Sequence, residues 1–203
     1  MKSKAKKTAV LLAAAMIPTA IFTGCSGNNE EEGSGGPYLV VSSSLVNEEK
    51  AKELVSTLNE SLPGVEIQLN AISVGDTSKD PTSAMAGIMK LTMVMAGQEA
   101  DVLIADYDSA WRNAGSEAFY PLTELFSEEE LNPYLDKIVS FELTDDQGNP
   151  TGEKVENCGI DVSDNAELSA ICPGADSVGV YIISNSPNLD TAKEIFRQLA
   201  FTE

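Results

Sequence analysis

Short apolar runs and helical stripes alternate along the first half of the chain, from residue 38 to residue 106. Continuous apolar runs at 38–43 and 101–106 predict buried strands, and alternation at 65–69 predicts another strand. Apolar residues at helical spacing between 51 and 62 predict a helix with Asn47 as its N-cap, and Pro81 is suited to open a second helix ending near Gly97. This β-α-β-α-β order predicts parallel strands, because parallel neighbours need crossover helices.

The second half of the pattern is less regular. Residues 122–126 and 128–138 have helical spacing, and Pro133 predicts a break in the second helix or a late start of it. Apolar runs at 139–144 and 153–157 predict two strands joined by a hairpin-type turn at 145–149, and a further strand is predicted at 177–184. A last helix is predicted by an apolar stripe of Leu189, Ala192, Ile195, Phe196 and Leu199. The predicted fold class is α/β, a three-layer sandwich with a mostly parallel sheet flanked by helices, in a single domain from 38 to 203.

Residues 1–24 have the pattern of a signal peptide. A lysine-rich start precedes an apolar run at 9–22, which is shorter than the about 20 residues that a membrane-spanning helix needs. The run ends in Phe22-Thr23-Gly24-Cys25, which resembles the lipobox of bacterial lipoproteins, with phenylalanine where leucine is more usual. The resemblance implies cleavage before Cys25, a diacylglycerol on its thiol with an acyl chain such as palmitate, and a location at the extracytoplasmic face of the cell membrane. An ordinary secretory signal with an incidental cysteine is the alternative.

The residues that follow predict an anchored rather than a spanning protein. The Gly-rich polar segment at 25–37 has nothing to bury and is predicted to be a flexible linker with a reach on the order of 20 Å. No second apolar segment of spanning length follows it in the sequence. We therefore expect a domain that is held close to the membrane by the lipid on Cys25.

Composition excludes several partners. The formal net charge of the 203 residues is −19, and residues 1–24 contribute lysines but no acidic residue, so the mature chain is more acidic still. Such a surface repels nucleic acids and anionic lipid headgroups. The sequence has no histidine, which removes the usual general base and the commonest transition-metal ligand. Acidic pairs could serve glycoside hydrolysis, but 32 Asp and Glu supply such pairs by chance. We predict no enzyme activity, no cofactor and no metal.

Three stretches of the sequence together resemble the extracellular solute-binding proteins of ABC transporters. They are the segment leading into 63–67, the segment 95–106 followed by 119–122, and the segments 159–163, 180–186 and 192–194. The resemblance implies a type II periplasmic-binding-protein-like fold, a small solute such as a sugar, an amino acid or a peptide, and an ABC permease as partner. Family members that bind sugars or peptides are roughly twice as long, so this chain corresponds to one lobe.

Polar residues follow two of the predicted strands at one sheet edge. Ligands of open α/β sheets bind beyond the carboxyl ends of the strands. The candidate ligand-binding residues there are Ser43, Ser44, Asp106, Asp108 and Trp111. Carboxylates and hydroxyls would bind hydroxyl groups or a cation, and the indole would stack on a sugar or an aliphatic face. The alternative is that these residues cap helices and fill the core.

Sulfur-bearing residues form two further patterns. Met85, Met89 and Met93 are spaced by four, and thioethers can bind copper(I), but the helix is apolar nearly all round, which favours core packing. Cys158 and Cys172 are predicted to form a disulfide that closes a loop of about 15 residues, worth ~3 kcal/mol. Two buried thiols are the alternative.

Two functions are therefore expected from the sequence. The first is a membrane-anchored lipoprotein that binds a small solute, with an ABC importer as its partner system. The second is a single-lobe protein-interaction or structural module without a small-molecule ligand. In the solute-binding proteins that the chain resembles, the ligand lies in a cleft between two lobes, and a single lobe supplies one wall. A homodimer would supply the second wall, which would reconcile solute binding with the short chain.

Overall fold

Six strands form one mixed sheet in the computed structural model, which describes residues 36–75, 79–145 and 147–202. In chain order the strands are β1 (Tyr38–Ser43), β2 (Gln68–Ser73), β3 (Val102–Asp106), β4 (Ile138–Thr144), β5 (Pro150–Asp161) and β6 (Val178–Ile182). Their spatial order is β2-β1-β3-β6-β5-β4. The predicted signal peptide, Cys25 and the linker as far as residue 35 lie outside the described residues.

The sheet is parallel in one half only. Strands β2, β1 and β3 run parallel, whereas β6 is antiparallel to β3, β5 to β6 and β4 to β5. The prediction of a mostly parallel sheet was therefore wrong. Full crossover helices connect only the first three strands, while β4 and β5 form a hairpin and the chain reaches β6 through a connection with a single-turn helix.

Seven α-helices lie in the described residues. They are α1 (Glu48–Ser61), α2 (Pro81–Ala96), α3 (Tyr107–Ala114), α4 (Leu122–Leu125), α5 (Glu128–Leu131), α6 (Ala166–Ser169) and α7 (Leu189–Ala200). The predicted N-cap Asn47 is confirmed, since its side chain accepts a hydrogen bond from the Lys50 amide. Asp80 caps α2 in the same way, with Pro81 as the first helical residue. Among the described residues no helix is both long and apolar enough to cross a membrane.

The strands bury side chains on both faces of the sheet. Along β1, Leu39 and Val41 belong to the core that α1 and α7 cover, while Val40 belongs to the core beneath α2 and α3. This alternation follows from the period of two of a strand. The α/β class is therefore confirmed, with helices on both faces.

Several boundaries of helices and strands differ from the predicted ones. Strand β2 begins at residue 68 rather than 65, and β5 is longer than the predicted 153–157. The predicted break at Pro133 is confirmed, because α5 ends at Leu131 and a 3₁₀ turn follows over Asn132–Tyr134. The core packing expected of the methionine stripe was wrong: Met85, Met89 and Met93 are all exposed.

Candidate functional site

The buried carboxylate of Asp106 is the centre of the predicted binding edge. It lies at the carboxyl end of β3, and its neighbour β1 runs parallel to it, so both strands end at the same edge. One carboxylate oxygen accepts hydrogen bonds from Ser43 Oγ at 2.8 Å and from the Ser44 amide at 2.9 Å. The other accepts from the Ser109 amide at 2.8 Å and so caps α3. Asp106 therefore ties the end of β1 to the start of α3.

A cavity of about 320 Å³ opens beside this carboxylate. One wall consists of Ser44, Asp106, Tyr107 and Asp108, and the other is the loop 174–177 that leads into β6. The structure thus brings Ser43, Ser44, Asp106 and Asp108 to one edge, as their order along the chain indicates. Their role as ligand-binding residues stays a prediction.

The direction of β6 explains why its loop was not identified from the sequence. Asp106 pairs with Val178, the first residue of antiparallel β6, so the loop before β6 lies at the carboxyl end of β3. A parallel β6 would place that loop at the opposite edge of the sheet. Asp176 and Ser177 therefore line the candidate cavity, and only the strand direction reveals this.

The electrostatics of the cavity are one-sided. Of the residues that the structure describes, three aspartates line it (Asp106, Asp108 and Asp176) and no lysine or arginine does. Among the described residues, Asp108 and Asp176 have no hydrogen-bond or ion-pair partner, while Asp106 is bonded from three donors. Ionised carboxylates only accept hydrogen bonds. The cavity is thus suited to a cation or to a solute that presents several hydrogen-bond donors.

Trp111 does not line this cavity. It lies one turn further along α3, half-buried against the core beneath α2 and α3, and its indole nitrogen donates to the Glu142 carbonyl of β4 at 3.0 Å. Tyr107 is the aromatic residue at the cavity instead; it is 45% exposed and its ring centroid lies 5.1 Å from that of Phe141. The geometry gives no support to the expected stacking role of Trp111.

The two cysteines of the described domain lie in different cores. Cys158 belongs to the core beneath α2 and α3 and donates to the Val139 carbonyl at 3.3 Å, whereas Cys172 belongs to the core beneath α1 and α7. The structure therefore holds Cys158 and Cys172 as free thiols rather than as the predicted disulfide, because the sheet separates them. Burial raises the pKa of each thiol to about 12, so both are protonated at neutral pH.

A larger groove of about 800 Å³ lies at the C-terminal end of α3. Phe119, Tyr120 and Pro121 form one wall and the β4–β5 hairpin forms the other. Its lining includes four glutamates, Glu117, Glu124, Glu153 and Glu156, and one lysine, Lys154. The groove combines segments that are distant in sequence, and no local motif marks it.

The sequence of this chain was compared with protein-family models and with curated proteins. No protein-family model matches it, and no curated protein matches its sequence.

Proposed function

We propose that the protein is a membrane-anchored extracellular lipoprotein that binds a small cationic solute at the cavity between Asp106, Asp108 and Asp176. The observation that carries the proposal is that Asp108 and Asp176, which have no hydrogen-bond or ion-pair partner among the described residues, line one small cavity together with Asp106. A positively charged amine or guanidinium group would be favoured by both. Tyr107 adds a partly exposed aromatic ring, against which a cationic group also packs well.

The size of the cavity limits the solute. About 320 Å³ is near the lower end of the range of small-molecule sites, which run from about 300 to 1,000 Å³. A cationic amino acid or a short polyamine fits this volume and charge, and a sugar or a short peptide is the alternative. The parallel set β2-β1-β3 is compatible with one lobe of a periplasmic-binding-protein-like fold, and an ABC permease or a second copy of the chain would close the open side.

A thermal-shift screen of the full chain in detergent tests this proposal. The probes are arginine, lysine, spermidine and glycine betaine, with sugars, neutral amino acids, short peptides and metal ions for comparison. A cationic solute at 100 times its Kd adds about 2.7 kcal/mol, which raises the Tm by about 5–10 °C. The double variant Asp108→Asn/Asp176→Asn should lose this shift.

The matched control is Glu153→Gln/Glu156→Gln, which removes the same charge from the larger groove. It should keep the full shift. A shift that survives in the Asp108/Asp176 variant, or a screen in which no probe stabilises the wild type, would contradict the proposal. The second outcome would favour the other candidate function, a protein-interaction module, for which the 800 Å³ groove is the supporting observation.

Attachment to the membrane rests on Cys25 and has its own test. Cys25→Ala should move the chain from the membrane fraction to the extracytoplasmic soluble or culture fraction and abolish labelling by radioactive palmitate. Cys158→Ala is the control, because a buried thiol of the domain should leave both unchanged. Continued labelling of the Cys25→Ala variant would show that the lipid is attached elsewhere.

A further inference from the structure

Helix α2 has a buried face and an exposed face of different chemistry. Leu91, Val94 and Met95 are buried against the sheet. On the other face Met85, Met89 and Met93 are 56%, 58% and 70% exposed. The stripe therefore contributes little to the core. Helix formation does not require methionine there either, because leucine or a charged residue favours a helix equally well.

The methionines are also concentrated in this helix. Apart from Met1 and Met16 in the predicted signal peptide, every methionine of the sequence lies in α2. Residues four apart on a helix have Cβ atoms about 5–6 Å apart, and the unbranched methionine side chain has three rotatable bonds. Two neighbouring thioether sulfurs of the stripe can therefore reach one bound ion.

A shallow surface cavity lies along the stripe. It has a volume of about 480 Å³ and is lined by Met89 and Met93 together with Ala86, Lys90, Val94 and Glu99. Met89 and Met93 thus border the same space, and its lining also includes one basic and one acidic residue, Lys90 and Glu99.

We infer that Met89 and Met93 bind a soft monovalent metal ion, copper(I) or silver(I). Thioethers are soft ligands and favour copper(I) over the hard cations that carboxylates prefer. Competition within the chain is weak, because the sequence has no histidine and both thiols of the domain are buried and protonated. The net charge of −19 also attracts cations to the surface. This site is separate from the cavity at Asp106.

The test is a titration of the full chain, labelled with methyl-¹³C methionine, in a chloride-free detergent buffer. Silver(I) is the redox-inert probe, and copper(I) under anaerobic ascorbate is the second. We expect the methyl signals of Met89 and Met93 to shift with saturation near one ion per chain, while that of buried Met95 stays in place. Single substitutions assign the signals, including those of Met1 and Met16.

The double variant Met89→Leu/Met93→Leu keeps the apolar volume of the stripe and removes only the sulfurs. It should weaken silver(I) binding at least about tenfold. Met95→Leu is the matched control on the buried face and should bind silver(I) as the wild type does. Unchanged binding in the double variant, equal loss in the Met95→Leu control, or no shift of the Met89 and Met93 signals would each overturn the inference.

Discussion

Asp101 and Asp106 are buried carboxylates near the two ends of β3, and they differ in how many of their hydrogen-bond positions are filled. Asp101 precedes the strand and is fully buried. One of its oxygens accepts from the Tyr38 amide at 2.6 Å and the other from Ser186 Oγ, and the Asn188 side-chain amide contacts both. These four contacts match the about four lone-pair positions of an ionised carboxylate.

Asp106 is the last residue of the same strand, and one of the hydrogen-bond positions of its carboxylate has no donor among the described residues. It accepts from Ser43 Oγ and from the amides of Ser44 and Ser109, and it borders the 320 Å³ cavity. A carboxylate can accept about one more hydrogen bond there. The two aspartates thus differ in one way that bears on the proposed function: the hydrogen-bond positions of Asp101 are all filled, whereas Asp106 has one unfilled position and lines a cavity.

We expect the largest loss of stability from removing Asp101, the carboxylate whose hydrogen-bond positions are all filled. Asp101→Ala leaves the Tyr38 amide, the Ser186 hydroxyl and the Asn188 amide without their acceptor inside the protein. We expect a loss of about 3–4 kcal/mol in the free energy of unfolding, with solute affinity unchanged where the protein folds. Urea denaturation followed by the fluorescence of the single tryptophan measures it. A loss below about 1 kcal/mol would mean that water replaces the carboxylate, and the comparison would fail.

At the other end of the strand, Asp106→Asn separates the two roles of the carboxylate. Asparagine caps α3 about as well as aspartate, but its NH₂ group replaces the oxygen that accepts from Ser43 and Ser44, so the free energy of unfolding should fall by about 2 kcal/mol. Affinity for the cationic solute should fall at least about tenfold, because the charge is lost. Isothermal titration calorimetry and urea denaturation on the same sample measure both. A variant that loses stability but keeps its affinity would show that Asp106 is only a structural tie.

Trp111→Phe is expected to have a smaller effect on stability and none on binding. The variant keeps the aromatic packing and loses the hydrogen bond to the Glu142 carbonyl, which costs about 1 kcal/mol. Circular dichroism during urea denaturation measures this, since the fluorescent residue is gone. A loss of solute affinity would place the indole in contact with the solute and would contradict the assignment of the cavity.

The smallest effect concerns a carboxylate that caps a helix without being buried. Glu130 accepts from the amide and hydroxyl of Ser127 and pairs with Arg197, and these contacts, the backbone bond first, hold its pKa below its ordinary value of 4.5. A lowered pKa stabilises the fold at pH values above the ordinary one, and this stabilisation is lost as the pH falls through the folded pKa.

Since the Glu130 side chain is 36% exposed, water screens the pair and the contribution stays below about 1 kcal/mol. Glu130→Gln should therefore lose slightly less stability than the wild type as the pH falls below 5, and its stability at pH 7 should change little. Urea denaturation of wild type and variant between pH 3 and pH 7 checks this. An unchanged pH dependence would mean that the contacts of Glu130 add nothing to stability.

The sequence was sufficient where local chemistry decides the structure. The N-cap Asn47 and the start at Pro81 predicted two helices, because capping depends on a few adjacent residues. The stripe of α7 predicted its buried face, since its polar side is clear. The convergence of Ser43 and Asp106 followed from two parallel strands that end at one edge.

Long-range contacts explain what the sequence did not predict. The antiparallel direction of β6 depends on how the hairpin and β6 pair with β3, and it brings Asp176 to the cavity. Helix α2 is apolar nearly all round, so its pattern could not distinguish the face that meets the sheet from the face of Met89. The separation of Cys158 from Cys172 by the sheet is likewise invisible in their spacing.

The most direct test of the proposed function is to map the solute on the protein by NMR. Arginine and spermidine are added separately to the ¹⁵N-labelled full chain, and amide shifts are followed to saturation. We expect shifts at Ser44, at residues 106–109 and in the loop 174–177, with the amides of 153–156 unchanged. Shifts confined to the groove at 153–156, or no shifts with either solute, would contradict the claim that this cavity binds a cationic solute.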